Sequence, residues 1–310
     1  MKERSVRREN VNLTVAIPTY GREEILIQTV KNFLDMPSPP AEILVLDQTP
    51  VHTPSVIKTV ESLESEGKIR WLKIPQPSIA GSMNLGLIEA CCEIVLFVDD
   101  DVFPEPGLLY AHVTAHKTTG ASLIAGRVIQ PWQEGIDFSA DEHFHLASLK
   151  PGWVNEFIGC NFSVQRRKAI ALGGFDENFV RVAYRYEAEF AHRWIRAGEK
   201  IYFEPSACIH HLKVKRGGTR SFGDHLTTFK PDHAVGAYYY IFQTWVGWKS
   251  FFEFLYRPLR SVVTRHHLRH PWWIPATFIA EISGICWAFA LHLRGPRYMH
   301  IKKNFDLANK

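Results

Sequence analysis

The sequence predicts an α/β protein, a mostly parallel β-sheet with flanking helices, followed by an aromatic-rich helical tail. Three observations carry that prediction. The first half alternates short apolar runs with longer amphipathic ones, the rhythm of βαβ units. An apolar run, Ile94 to Val98, leads directly into Asp99, Asp100 and Asp101, as expected for a strand covered on both faces that ends at a polar site. From Tyr238 the composition changes, with ten aromatic residues up to Tyr256.

In chain order, strands are expected over 14–17, 42–46, 69–72 and 94–98, with helices over 23–34, 55–66 and 79–91 between them. Three strand ends carry polar or turn-forming residues: Pro18-Thr19-Tyr20, Asp47, and Asp99 to Asp101. Ligand sites of parallel sheets lie beyond such carboxyl ends. Further on, 121–129 and 157–164 read as strands, the second interrupted by Gly159, where the backbone would pass close to another group. A helix over 186–197 stops at Gly198, and 199–203 and 207–210 are again strand-like. The domain reading is an N-terminal extension over 1–12, a catalytic domain over 13–230 and a helical region over 231–310.

The bulk composition narrows the class. With 310 residues, 46% hydrophobic and 22% charged, the chain can bury a full core. A net charge of +4, spread along the sequence, does not suggest nucleic acid as a partner. The five cysteines are odd in number and form no CxxC pair, which fits free thiols in a reducing compartment better than disulfides or zinc. Residues 1–12 are charged and lack the apolar core of a signal peptide, so the catalytic part is expected to face the cytoplasm. A zinc hydrolase built on His112 and His116 fails, because Val113 stands where a Glu base is needed.

On a strand, Asp99 and Asp101 would point to one side and Asp100 to the other. Two carboxylates aimed together are costly unless a cation sits between them. Hard oxygen ligands suit Mg2+ or Mn2+, which in turn suit a diphosphate. An acidic turn capping the next helix is the alternative.

Taken in order over roughly residues 12–215, the motifs resemble the family 2 glycosyltransferases. They are Val15-Ala16-Ile17-Pro18-Thr19-Tyr20, Asp47, Asn84, the Asp99–Asp101 cluster with Pro106 after it, Gly159-Cys160-Asn161-Phe162-Ser163, Gly173-Gly174-Phe175-Asp176-Glu177, the acidic helix near Glu187, and Pro205 with His211. The resemblance implies a Rossmann-like GT-A fold and inverting transfer from a nucleotide-sugar donor, UDP favoured and dTDP compatible because both bases present the same imide edge.

By the same resemblance, Pro18, Thr19 and Tyr20 frame the base and ribose, with Arg22 and Asn84 also on the donor side. Asp47 accepts from the base; its alternative is a turn-initiating Asp before Gln48. Asp99 touches the ribose, and Asp100 stands beside it as the least engaged of the three. Asp101 holds the Mn2+ or Mg2+, and His211 completes the metal site, with a structural strand-end histidine as its alternative. Glu187 is the general base. Here the sequence departs from the family, because Tyr186-Glu187 stands where relatives carry Glu-Asp. Glu189 is the rival base, although Arg193 four residues on favours a helical ion pair for it. Trp153, Asn161 and Asp176 fall on the acceptor side. Gly21 and Met83 replace the family's usual Asn and Arg, and the basic run from Lys213 to Arg220 has the glycines of a loop able to close.

Residues 272–293 are long enough to cross a bilayer, but Pro275, Glu281 and His292 interrupt them. Helices lying on the membrane are therefore expected over 238–293, with the Arg/His run at 257–270 attracting anionic lipid. A soluble helical subdomain is the alternative. The expected role is building a surface polysaccharide or glycolipid at the inner face of the cytoplasmic membrane, on a glycan or lipid-linked acceptor. Two competitors remain. A sugar nucleotidyltransferase would need a Gly-rich phosphate loop, and residues 18–22 are too short. A degenerate scaffold or binding subunit is favoured only by the altered Tyr186-Glu187 pair.

Overall fold

The computed structural model describes residues 10–136 and 145–299. Most of the expected N-terminal extension, and the Lys302 and Lys303 that flank the last helix in sequence, lie outside the described residues.

The chain opens with β1 (Val11–Thr19), α1 (Glu24–Leu34), β2 (Pro40–Asp47), α2 (Pro54–Ser65), β3 (Arg70–Lys73), α3 (Ile79–Glu89) and β4 (Ile94–Val98). These four strands are parallel, in the order β3-β2-β1-β4. The central residues of β1, β2 and β4 are buried on both faces, which is why they read as continuous apolar runs, whereas edge strand β3 is half-exposed. Register sets the site. Thr19 pairs with Asp47 and Ala16 with Phe97, so the polar residues following β1, β2 and β4 emerge at one level.

The second half departs from a simple parallel sheet. β5 (Val102–Pro104), α4 (Leu108–Thr119), β6 (Leu123–Ile129), β7 (Gly152–Val154), β8 (Asn161–Gln165), α5 (Arg166–Ala171), α6 (Tyr186–Arg196) and β9 (Ile201–His211) follow. β8 inserts antiparallel between β4 and β6, and β9 then runs parallel to β6. The nine-stranded sheet is therefore mixed. The two short strands expected over 199–210 form one long strand. Gly159 falls before β8 rather than inside it: a Cβ there would lie 2.0 Å from the Tyr186 hydroxyl. Short β5 pairs antiparallel with the end of β9, setting Val102 against His211, and the Leu212 N–H donates to the Asp101 carbonyl. That pairing carries His211 to the acidic cluster.

Two apolar layers cover the faces of the sheet. One lies under α1, α2 and α4; the other lies under α3, α5 and α6 and contains Phe97, Phe162, Phe175, Phe190 and Trp194. The tail forms α7 (Ala234–Gln243), α8 (Gly247–Val262), α9 (Arg265–Arg269) and α10 (Ile274–Arg294), and a third cluster joins Phe179 and Ala183 to α7, α8 and α10. The tail thus shares a core with the sheet domain. α10 docks on α7 through small residues, Gly284 lying where a Cβ would meet that of Ala234 at 2.6 Å. Glu281, inside this otherwise apolar helix, accepts a hydrogen bond from the Tyr238 hydroxyl at 2.5 Å and lies 3.4 Å from Arg257. A buried acid in this position has its partner inside the protein.

Candidate active site

A cleft of about 390 Å³ opens beyond β1 and β4, between the 18–22 turn, the start of α6 and the segment after β9. At its floor, one oxygen each of Asp99 and Asp101 and one nitrogen of His211 lie within 4.8 Å of one another. His211 Nε2 is 3.2 Å from Asp101 Oδ1 and 3.7 Å from Asp99 Oδ2. Two carboxylates and an imidazole form a donor set suited to Mn2+ or Mg2+. The imidazole is presented by β9 with Nδ1 buried and unpartnered among the described residues, so its other nitrogen is the one aimed at the carboxylates.

The three aspartates differ sharply. Desolvation at the cleft floor pushes the Asp99 carboxyl up, and Asp101 adds to this while His211 opposes it. Burial alone would raise Asp101 too, but His211, Arg22 and the Val214 N–H at 2.9 Å hold it below the usual carboxylate range. Asp100 turns away, accepts from the Thr19 hydroxyl at 2.6 Å and is pushed to about 7 by burial despite Arg22. Asp101 is thus charged and solvent-shielded, ready to hold a cation.

The basic loop closes this floor. The Gly218 N–H donates to the Tyr20 carbonyl at 2.6 Å. Gly217, at φ 77°, packs so tightly on the 18–22 turn that a Cβ would meet the Gly21 carbonyl at 2.5 Å. Arg220 donates to the Val214 carbonyl and lies 3.9 Å from Asp101. Lys213 stands over the Trp132 ring at 3.9 Å. Both cations line the cleft with Arg22.

Glu187 enters from the opposite side, in the first turn of α6. Burial pushes its carboxyl up to about 7; Asp99 and Glu156 add to that, while its own backbone amide and Arg185 oppose it. Tyr186 also lines the cleft, its hydroxyl against Gly159. Glu189 points into the protein, 2% exposed, and grips Arg193 through contacts of 2.5 and 3.0 Å. The rival base is a structural ion pair.

Pro18, Thr19, Tyr20, Arg22, Asp99, Asp100, Asp101, Glu187 and His211 all line the one cleft. Five other expected site residues do not. Asp47 is buried, and its oxygens accept from Trp71 Nε1 at 2.8 Å and the Thr49 N–H at 2.8 Å, with His52 at 2.7 Å; the turn-initiating alternative describes it better. Asn84 brackets Phe175, accepting from its N–H and donating to its carbonyl. Asn161 donates to the Arg127 and Ala207 carbonyls and lies 3.0 Å from His112. Asp176 accepts from Tyr239, Asn178 and Arg297. Trp153 packs on the Tyr202 ring at 5.2 Å, away from the cleft. In the first four cases a polar side chain in a folded interior has been claimed by backbone or neighbouring polar groups, whereas Trp153 is 54% exposed.

The structure adds residues the sequence reading passed over. Gln48 lines the cleft where Asp47 was expected, and accepts from the Ser78 N–H at 2.6 Å; its place next to a strand-end Asp was the available signal. The segment before α6 also lines the cleft and has left-handed backbone at Arg181, Ala183 and Arg185. None of the three is Gly, so no local signal marked it.

Comparison with known proteins agrees with this geometry. A family model described as glycosyl transferase family 2 matches residues 14–173. The succinoglycan biosynthesis protein ExoM of Rhizobium meliloti (strain 1021) is 25% identical over 212 residues, 65% of this chain and 67% of that protein. Among solved structures, the mannosyltransferase PcManGT from Pyrobaculum calidifontis, in complex with GDP-Man and Mn2+, aligns with TM-score 0.54 and 17% identity over 92% of this chain and 79% of that one. TarS 1-349 of S. aureus, in complex with UDP-GlcNAc, aligns with TM-score 0.58 and 13% identity over 93% of both chains.

Proposed function

Because the chain belongs to glycosyl transferase family 2 and has the GT-A fold, we propose that it is an inverting, cation-assisted enzyme that moves a sugar from a uridine diphosphate donor to a glycan or lipid-linked acceptor. A dTDP donor offers the same base edge. The reading is carried by one observation: Glu187 faces, in a single cleft, the Asp99, Asp101 and His211 group.

Pro18, Thr19, Tyr20 and Gln48 line the part of the cleft suited to base and ribose. Asp99, Asp101 and His211 would hold Mn2+ or Mg2+, and when bound such an ion offsets the charge developing on the departing diphosphate. Arg22, Lys213 and Arg220 supply fixed positive charge to the same leaving group. Glu187 takes the proton of the acceptor hydroxyl. That oxygen forms its bond to the anomeric carbon as the bond to the diphosphate breaks, so the configuration inverts. A base near pKa 7 is well matched to the task at neutral pH. The likeness to ExoM, a succinoglycan biosynthesis protein, supports a polysaccharide product; assembly at the inner face of the cytoplasmic membrane is part of the same proposal. The desolvated carboxyl of Glu187 opposite the acidic cluster favours this reading over a binding-only subunit.

The test is a thermal-shift panel of UDP, dTDP and GDP with and without Mn2+, alongside turnover of Glu187→Gln. UDP should stabilise the protein only with the cation present. Glu187→Gln should keep that shift and lose turnover. Absence of any cation-dependent nucleotide shift would refute the proposal.

A further inference from the structure

We propose that a second cavity, enclosed by Tyr184, Arg185, α7, α8 and α10, receives the phosphate headgroup of a lipid-linked acceptor, and that α8 lies in the membrane surface that delivers it. This rests on the glycosyltransferase reading above.

α8 is built inside out. A helix on a globular protein turns its apolar stripe inward. Here Trp248, Phe251, Phe252, Leu255, Leu259 and Val263 recur at helical spacing and are all exposed, Trp248 at 75% and Val263 at 71%. The opposite side carries buried Ser250, and Arg257 held by Glu281. α10 repeats the arrangement: Ala280, Glu281, Gly284 and Ala288 are buried against the protein, whereas Phe278, Ile279, Ile282, Phe289 and Leu293 are exposed. Two adjacent helices presenting such faces match an apolar phase rather than water. α10 has one face docked on α7, which itself packs on Phe179 and Ala183 of the sheet domain, and this favours a surface orientation. Arg260, Arg265 and Arg269 border this face without an acidic residue between them, which suits lipid phosphates.

Behind α8 lies a cavity of about 450 Å³, lined by Arg185, Lys230, Arg257 and Arg260 against Glu253 and Glu281. Glu281 is already engaged by Arg257 and Tyr238. Arg260 and Lys230 have no acidic partner among the described residues, so positive charge is left over for an anion. Tyr184 lines both this cavity and the catalytic cleft. The wall between them is the strained 181–185 segment, and Arg185 is the N-cap of the helix that carries Glu187. α7 fixes that wall: Gly236 faces the Tyr184 backbone, where a Cβ would lie 2.4 Å from its carbonyl oxygen. A headgroup seated behind Tyr184 would present the attached sugar hydroxyl across it to the base.

The experiment is co-sedimentation of the full chain with vesicles of phosphatidylcholine alone, with phosphatidylglycerol, or with a polyprenyl phosphate at matched surface charge. Inorganic diphosphate is added as a soluble competitor. Binding to the polyprenyl phosphate vesicles should exceed the matched phosphatidylglycerol set about tenfold. The Lys230→Ala/Arg260→Ala double variant should lose that preference, and Arg260→Lys should keep most of it. Equal binding to the two anionic sets, or a preference that survives either the double variant or excess diphosphate, would overturn the proposal. So would a dimer in lipid-free buffer with no gain on vesicles, since the exposed face would then belong to a second copy. The cation-dependent UDP shift is read on the same samples: its loss removes the catalytic reading, whereas its retention without lipid preference removes only this one.

Discussion

On the side of the cleft proposed for the donor, Thr19 and the aspartates stand at the ends of strands whose register is fixed by buried apolar neighbours. On the acceptor side the groups hang from a five-residue segment with three left-handed non-glycine residues, braced by tail helices. The first wall is a product of ordinary sheet physics: parallel strands covered on both faces end together, so Thr19, Asp100 and Asp101 arrive in one place. The second wall is held against its local preference, at a cost of order 1–3 kcal/mol for each left-handed residue. It persists because Ala183 is buried among Phe179, Val235 and Tyr239. The donor wall should therefore tolerate changes in the tail, and the acceptor wall should not.

The largest effects belong to the two groups that face each other across the cleft. Glu187→Gln should lower kcat about 10²–10⁴-fold, as expected for removal of a well-placed base, with nucleotide affinity unchanged. Asp101→Ala should instead abolish the cation-dependent UDP shift in calorimetry. If both variants lost nucleotide binding equally, the division into two independent walls would be wrong.

The raised carboxyl of Glu187 gives the comparison a pH axis. A base works deprotonated, so kcat/KM should rise with pH through about 7 and level above it. A cation on Asp99 and Asp101 favours the carboxylate and should move the midpoint below 7, which a pH profile at two Mn2+ concentrations would detect. The stability sign is opposite. A folded pKa raised above the ordinary 4.5 means the folded state holds its proton more tightly than the unfolded chain does. Stability attributable to that proton is full below about 4.5 and lost as pH rises through about 7. Glu187→Gln should therefore melt higher than wild type at pH 8 and show little gain at pH 5.

This difference between the walls also explains what the sequence made legible. The parallel half and the acidic cluster followed from strand periodicity and residue order, whereas the partnership of Asp101 with His211 followed only from the family resemblance. Residues such as Asn84, Asn161 and Asp176 resembled site residues because their motifs place them near the cleft. Whether a polar side chain faces a ligand or a backbone carbonyl is decided by partners dozens of residues away, and periodicity says nothing of that. Asn161, for example, is claimed by the Ala207 carbonyl. The left-handed turn at 181–185 was hidden for the same reason: tertiary packing imposes it on Arg and Ala, which carry no preference for it.

Gly159→Ala tests the acceptor wall where the start of α6 meets the Gly159-Cys160-Asn161 motif. The added methyl would overlap the Tyr186 hydroxyl, and overpacking of this kind costs about 1–3 kcal/mol. The variant should melt several degrees lower and lose activity, because the start of α6 must shift and Glu187 with it. Tyr186→Phe removes the clashing oxygen, so the double variant should recover much of both losses. Recovery of stability without activity would assign the hydroxyl itself a part in acceptor binding.

The smallest effect is expected farthest from the chemistry. Trp248→Ser and Phe252→Ser replace residues on α8 that are 75% and 63% exposed, so in lipid-free buffer their melting temperatures should stay close to wild type. With vesicles the same changes remove apolar area from the membrane face, and at about 25 cal/mol per Å² of buried surface each should weaken association several-fold. Turnover of a water-soluble acceptor analogue would be unaffected. If these substitutions destabilised the lipid-free protein, the face would be a buried interface in solution, and the acceptor wall would be braced by a second copy of the chain rather than by the bilayer.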